Sequence, residues 1–459
     1  MPVVDDSSHA VGAWAASGAM WLTGHAGGAP LSPAAAVVPV LASAADALAR
    51  LTAAGGRPVR VDVGTLLSGR AALRGLGRRG RTSANGSCRL LPAADGWVAV
   101  NLARPSDVES VGALVERAVD GDPWVTLERA AARLPADDLV ARATLLGIPA
   151  AFLPPTPAQA YGCRTVGDVE HTGRPASPAE RADAGPRPPY VVRRLGESRR
   201  EAPTRGAPAP LVVDLSAMWA GPVCAHLLGR AGLRVVKVES THRPDGARAG
   251  HAGFFDWLHG GHDSVALDFS TATGRADLAT LVAQADVVIE SSRPRALAQL
   301  GIDPAAVLAG RPATTWVSIT GHGRDGDDGH RVAFGDDAAV AAGLVAHDHD
   351  GLPVFCGDAI ADPITGLFAA VAALASQADG GGHLVEVAMV DAVAATLATP
   401  APATAAHRLP DGTWAVRTPA GDLRPVARPR PPGPAALATP AHPLGADTDT
   451  YVPAGRPAC

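Results

Sequence analysis

The run Asp358-Ala359-Ile360-Ala361-Asp362-Pro363-Ile364-Thr365-Gly366 leads into an alanine-rich stretch over 367–376, and so sets an aspartate at the mouth of a small-residue helix. A carboxylate in that place can lie against the thioester or carboxyl group of another molecule. Carboxylates are weak nucleophiles in water; they become useful beside an electrophile in a dry site with N–H donors for the developing oxyanion. The same Asp-Pro pair also suits a helix start, because aspartate accepts from first-turn amides and proline is tolerated there. On the residues alone Asp362 therefore reads first as a helix cap, with its carboxylate free to meet another molecule as the second reading. Asp358, four residues earlier, is the second carboxylate within reach and reads as a solvated loop acid. Cys356 has no histidine near it in sequence to activate it, and reads as a small buried thiol.

Two other motifs read more blandly. Gly321-His322-Gly323-Arg324-Asp325-Gly326 has the GxGxxG spacing, but Asp327-Asp328-Gly329 follows and does not open a helix. A tight loop after a strand is the expectation, not a dinucleotide fingerprint. His347-Asp348-His349-Asp350 offers metal-ligand types. It sits in a loop whose counterpart in the first half, His25-Ala26-Gly27-Gly28, lacks most of those groups, so a solvated turn is expected and no metal.

Composition narrows the class of protein. The chain has 459 residues, 47% hydrophobic and 19% charged, which describes a folded globular protein with room for more than one domain. A formal charge of -5 gives no reason to expect nucleic acid or an anionic membrane surface as a partner. Lys237 is the single lysine among 40 basic residues, a bias of composition more than of function. The cysteines Cys88, Cys163, Cys224, Cys356 and Cys459 form no CxxC pair, which points away from a zinc site or a disulfide framework. No apolar run approaches the roughly 20 residues that span a bilayer. The start, Met1-Pro2-Val3-Val4-Asp5-Asp6, lacks the basic and apolar regions of a signal peptide. A cytoplasmic setting is expected.

The elements that must position Asp362 follow from apolar patterning. Leu211-Val212-Val213-Asp214-Leu215 reads as a buried parallel strand, Ala220-Gly221-Pro222 opens a helix, and Arg234 to Glu239 reads as the next strand. Ser264 to Asp268, Val287 to Glu290 and Thr315 to Ile319 continue as strands, with helices near 274–284 and 295–300 between them. This alternation predicts an α/β fold: a doubly wound parallel, Rossmann-like sheet with ligands at the C-terminal strand ends. A smaller α/β domain is expected upstream, with strands near 97–100 and 147–153 and helices near 106–118 and 127–145. The predicted division is 1–80, 81–165 for the small α/β domain, 166–209 as a Pro/Arg-rich linker, 210–400 for the large domain, and 401–459 as a tail packing on it.

An internal repeat accompanies this pattern. Gly28-Ala29-Pro30 through Gly55-Gly56 to Val61-Asp62-Val63 parallels Gly351-Leu352-Pro353 through Gly381-Gly382 to Val385-Glu386-Val387. Each has a Gly-x-Pro turn, an alanine-rich helix, a glycine pair and a strand with one acid. Pro39 falls opposite Asp362, so segment 1–80 reads as a degenerate copy that has lost the carboxylate.

The second half resembles the class III CoA-transferases, the family that includes formyl-CoA transferase, carnitine CoA-transferase and 2-methylacyl-CoA racemase. The matching segments are Val213-Asp214-Leu215-Ser216 with Ala220-Gly221-Pro222, Val235 to Glu239, Ala285 to Glu290, Ser318 to Gly321, Gly335-Asp336-Asp337, Ala361 to Gly366 and Val385 to Asp391. The resemblance implies that Asp362 is the catalytic aspartate, attacking an acyl-CoA donor and passing through an aspartyl-CoA thioester before a carboxylic acid acceptor takes up the CoA. Coenzyme A is thus implied as substrate. The resemblance places Ala217, Met218, Trp219, Leu267, Ser291 and Ser292 against CoA, with Arg243 and Arg295 near its phosphates.

Departures from the family mark what the resemblance leaves open. Ser240, His262-Asp263 and Gln299 stand where basic residues are usual, with His242, Arg243, Arg293 and Arg295 near enough to compensate. Asp336 stands where the racemases carry a histidine, which disfavours racemisation but keeps it as the alternative enzyme. A non-catalytic CoA-binding or partner subunit is the alternative outside catalysis. The glycine-rich lid of formyl-CoA transferase has no counterpart, and the small domain precedes the large one, as in a rearranged fusion. A homodimer is implied by the family; the duplication also fits a monomer that imitates a dimer.

Overall fold

The computed structural model describes residues 6–53, 55–56, 58–155, 188–197 and 208–452. Most of the expected linker, together with Cys163 and Cys459, lies outside the described residues.

Strands β1 (Cys88–Pro92), β2 (Trp97–Asn101) and β3 (Ala150–Phe152) make an antiparallel sheet in the order β1-β2-β3. Side chains alternate across a strand, and this sheet uses both faces. Leu91, Val98 and Val100 pack on Leu114, Leu127 and Leu139 of the covering helices. Cys88, Leu90 and Ala99 face the other way, onto Val340, Val345 and Phe355 of the second half. The helix expected over 127–145 is two, Pro123–Ala131 and Ala136–Leu146. Pro135 separates them, since proline disfavours helical backbone at the residue before it.

The large sheet collects β4 (Val191–Arg194), β5 (Leu211–Asp214), β6 (Arg234–Ser240), β7 (Asp263–Leu267), β8 (Val287–Glu290) and β9 (Thr315–Thr320). A hairpin of β10 (Val345–His347) and β11 (Pro353–Phe355) leads to the last strand, β12 (His383–Ala388). The order is β4-β12-β9-β8-β5-β6-β7, parallel except for β4, which runs antiparallel to β12. The mixed α/β architecture with its parallel sheet is the one expected. One stretch of the connector, Val191–Arg194, thus forms an edge strand.

Parallel strands are buried on both faces. Val212, Ile289 and Val317 point into a core shared with helix Ala220–Arg230 and the N-terminal helices, while Val213, Val236 and Val288 meet Leu278 and Leu281. Helix Ala361–Ala378 packs between helix Ala220–Arg230 and helix Val37–Ala53. Gly366 permits the first approach, because a Cβ there would fall 2.5 Å from both Ala220 O and Val223 Cβ.

The expected strand at Val61-Asp62-Val63 is instead the start of helix Val63–Arg74, capped by Asp62, whose carboxylate accepts from the Gly64 amide and the Thr65 hydroxyl. A short helix cap wins where no neighbouring strand offers a ladder of hydrogen bonds. The tail divides its contacts. A sheet of β13 (His407–Arg408), β14 (Trp414–Arg417) and β15 (Leu423–Pro425) lies against helix Asp6–Ala16, whereas Asp447 and Thr448 accept from the Ser264 and Ala266 amides on the outer edge of β7. Among the described residues no helix is long and apolar enough to cross a membrane.

Candidate functional site

A cluster of carboxylates closes around the first turn of helix Ala361–Ala378. The approach is a tight turn, with Gly357 at φ 70° and Ala359 at φ 43°, a left-handed backbone that costs a non-glycine residue energy. The turn aims the Ala359 amide at Asp336 Oδ1, 2.9 Å away. Asn85 of the first half donates to Asp336 Oδ2 at 2.9 Å, and Asn101 donates to Asp337 Oδ1 at 3.0 Å.

Asp358 is not the solvated loop acid its sequence setting implies. Its side chain is fully buried and grips Arg70 through a fork, Nε to Oδ2 at 2.8 Å and Nη2 to Oδ1 at 2.6 Å. The partner lies 288 residues upstream, beyond the reach of any local reading. Arg70 itself projects from helix Val63–Arg74 and stacks over Trp219, 4.4 Å from the ring centroid, with Phe254 at 5.8 Å. Burial works against its charge, but Asp358, with lesser help from Asp362 and Asp336, outweighs burial and holds the guanidinium above its ordinary pKa.

Asp362 is the second residue of its helix. The cap position is Ile360, so the capping role open to Asp362 in the sequence is not taken up. As a residue Asp362 is half-buried, whereas Asp336, Asp337 and Asp358 are buried outright, and its carboxyl group points into the protein. The Ala220 amide, in the first turn of helix Ala220–Arg230, lies close enough to favour its charged form. Gly335 makes the fit possible: a Cβ there would lie 2.3 Å from Asp362 Oδ2. Burial pushes the Asp362 carboxyl up to about 7; Arg70 pulls it down, Asp336 pushes it up, and the Ala220 amide pulls it down again. Asp336 is raised to about 6, by burial first and Asp358 second, and Asp337 to about 7 by burial. Such values leave Asp362 on the border between acid and nucleophile near neutrality. The Cys356 thiol is buried and its pKa driven up, the inert thiol expected.

The C-terminal strand ends form a second part of the site. The Ala217 amide donates to Ser291 Oγ at 3.2 Å, joining the loops after β5 and β8. Met218, at φ 71° and 39% exposed, donates its amide to Asp245. Lys237 braces this loop from beneath, donating to the Ser216 carbonyl and pairing with Asp245 at 3.0 Å. Trp219 turns inward, 1% exposed under Arg70, and so sits with the carboxylate cluster. Leu267 is buried at the end of β7, and the Ser292 amide donates to the buried Glu290.

Arg243 and Arg295 are exposed beside Arg293. Burial lowers the Arg293 pKa, and repulsion from Arg295, Arg104 and Arg243 lowers it further, so guanidinia from both halves converge on one place. Of the four, Arg104 has a carboxylate partner, Asp107 at 2.6 Å. The other compensating cation is less available, because His242 sits 3.3 Å from Asp268. His262 is buried, its pKa lowered to about 3 by burial, and Asp263 accepts from the Tyr451 hydroxyl. Asp348, in the bland His-Asp turn, accepts from His25 at 2.8 Å and from the Asp350 and Leu352 amides. The GxGxxG match is a loop entering a 3-10 turn at Gly326–His330.

A parallel α/β sheet with an acid at a helix start and guanidinia near its C-terminal strand ends offers a place for an anionic ligand. The particular family follows: residues 210–427 match the model of CoA-transferase family III, and through them the chain resembles that family. An acyl-CoA transferase of Fusarium pseudograminearum is 30% identical over 39% of this chain and 44% of its own length. Succinyl-CoA–D-citramalate CoA-transferase of Chloroflexus aurantiacus is 28% identical over 41% and 52%. Among solved structures, a CaiB/BaiF family protein of Brucella suis is 26% identical, covering 46% of this chain and 65% of its own, with a TM-score of 0.41. The chain spans about half the length of the curated relatives it matches.

Arg70, Asn85 and Asn101 are the site residues that sequence reasoning missed. The one signal for Arg70 was an arginine at the buried helical positions set by Leu66, Leu67 and Ala71.

Proposed function

We propose that the chain transfers CoA from an acyl-CoA donor to a carboxylic acid, with Asp362 as the nucleophile. The observation that carries this reading is Asp362, the one acid of the cluster that is not buried outright, its carboxyl raised to about 7 at the start of a helix inside the segment that matches the family. The Asp362 carboxylate attacks the thioester carbonyl, the C–S bond breaks, and CoA thiolate leaves behind a mixed anhydride. The thiolate then attacks the Asp362 carbonyl of that anhydride, releasing the donor acid and forming aspartyl-CoA thioester. The acceptor carboxylate repeats the exchange in reverse, and Asp362 returns as a carboxylate. Passing through covalent intermediates on Asp362 splits one difficult exchange into easier steps.

The donor's phosphates are assigned to Arg243, Arg293 and Arg295, and its chain to the loop of Ala217, Met218, Ser291 and Ser292 with Leu267 at the adenine side. The mutual repulsion of these guanidinia supports the assignment, since an anion relieves it. Trp219 is assigned a supporting place behind Arg70 instead of CoA contact. Racemisation is the weaker reading, because Asp336 is 2% exposed and committed to Asn85 and the Ala359 amide, with no face for a substrate α-carbon. Arg70 and Asn85 of the first half meet Asp336 and Asp358 of the second, so the homodimer implied by the family and a monomer that imitates a dimer both fit the site.

Incubation with candidate acyl-CoAs followed by peptide mass spectrometry tests the mechanism. A CoA or acyl adduct on the Asp362 peptide is expected, and none in Asp362→Ala. Unchanged transfer by a folded Asp362→Ala protein rules the mechanism out; absence of CoA transfer in the wild type under all donors favours a CoA-binding subunit.

A further inference from the structure

We infer that Arg70 is a positioning residue for the chemistry at Asp362: its forked pairing with Asp358 lets one guanidinium fix the turn before the helix while its charge faces the Asp362 carboxyl group. The inference rests on the reading of Asp362 as nucleophile.

The geometry has three parts. The fork to Asp358 uses two nitrogens at 2.8 and 2.6 Å, which sets the plane of the guanidinium as well as its place. Trp219 and Phe254 back the same plane, so the side chain has no room to swing away. The residue after Asp358 is Ala359, whose amide binds Asp336 and whose carbonyl accepts from the Asp362 amide at 3.1 Å. Movement of Asp358 therefore carries Asp362 with it.

The charges that face Asp362 come from each element around it: Arg70 on helix Val63–Arg74, Asp336 on helix Gly335–Ala341, Asp358 in the turn, and the Ala220 amide dipole. Among these described groups Arg70 is the cation. Its pull on Asp362 outranks the push from Asp336 and, by more, the push from Asp358. Removing Arg70 and Asp358 together thus leaves a net push, and Asp362 keeps its proton to higher pH. A protonated carboxyl does not attack a thioester.

That ranking gives a test that separates electrostatics from folding. Arg70→Gln alone strands a buried carboxylate and risks the fold. The double variant Arg70→Gln/Asp358→Asn removes both charges and leaves two amides able to bond each other. Two readouts are taken against pH: carbodiimide-driven labelling of the Asp362 peptide, which requires the protonated acid, and the rate of adduct formation from acyl-CoA. The labelling midpoint in the double variant is expected about one pH unit above wild type, and adduct formation about tenfold slower at pH 6.5, recovering above pH 8.5. Arg70→Lys, which keeps charge but loses the fork, is expected to keep the wild-type midpoint with slower adduct formation at every pH. Coincident midpoints in wild type and a folded double variant overturn the inference. Labelling reports on Arg70 even if the wild type forms no adduct, an outcome that defeats the nucleophile reading instead.

Discussion

Helix Val37–Ala53 and helix Ala361–Ala378 lie against each other, similar in length and in their run of small residues, yet one starts with an acid and the other does not. Matching the two helix starts sets Val38 opposite Asp362 and Pro39 opposite Pro363, a shift of one from the pairing that the glycine turns suggest. The difference in surroundings is larger than the difference in sequence. Around Asp362 stand a glycine that makes room, an amide from a neighbouring helix, and Arg70. Val38 and Pro39 are partly exposed, with Ser43 donating to the Pro39 carbonyl. A carboxylate becomes a reagent through what is packed around it, and the helix start alone supplies little of that.

The largest effect that sharpens this contrast is expected from moving the acid. Asp362→Asn is predicted to lower transfer about a thousandfold, roughly 4 kcal/mol of transition-state stabilisation. Adding Val38→Asp to that variant is predicted to recover none of it; recovery above a few per cent, by steady-state assay, breaks the comparison. Gly335→Ala comes next. Its methyl would press on both Asp362 Oδ2 and the Ala359 carbonyl at 2.3 Å, and a roughly 10–100-fold loss in kcat with a smaller change in KM is expected for a displaced nucleophile.

The smallest effect is one of stability. An Asp whose pKa is raised in the folded state binds its proton more tightly there than in the unfolded chain, so folding loses stability as pH rises from about 4 through about 7. Asp362→Asn removes that loss and is predicted to be more stable than wild type by roughly 1–2 kcal/mol at pH 8, with the gap closing toward pH 4. Thermal melts across pH check the sign. At the acid end His226, His259 and His262, all lowered chiefly by burial, favour the unfolded chain below its ordinary histidine pKa. A gap that widens as pH falls would contradict the burial of Asp362.

The parallel sheet was legible because each strand is a short apolar run between a glycine or proline stop and a helix pattern. The place of Asp362 was legible too, through its Asp-Pro helix start. Val61-Asp62-Val63 misled, since an apolar-acid-apolar triplet fits a strand or a capped helix equally, and only a neighbouring strand would decide. Asp358 misled for a different reason: burial of an acid depends on a cation, and that cation is supplied by a segment with no local tie to it. Arg70, Asn85 and Asn101 were hidden in the same way, as ordinary polar residues whose meaning is a contact across the fold.

The separation of Arg70 from Asp358 also bears on how the molecule is made. A chain emerging from the ribosome presents Arg70 early, and helix Val63–Arg74 then waits while nearly three hundred residues are added before its partner exists. The small sheet can form from its own near neighbours in that interval, but the acid centre cannot. Its assembly belongs among the late, long-range closures, which are slow because chain entropy must be lost before any contact is gained. The acid centre is thus completed late in synthesis, ahead of the pairing of the Ala420 amide with Ser8, which must wait for 412 residues.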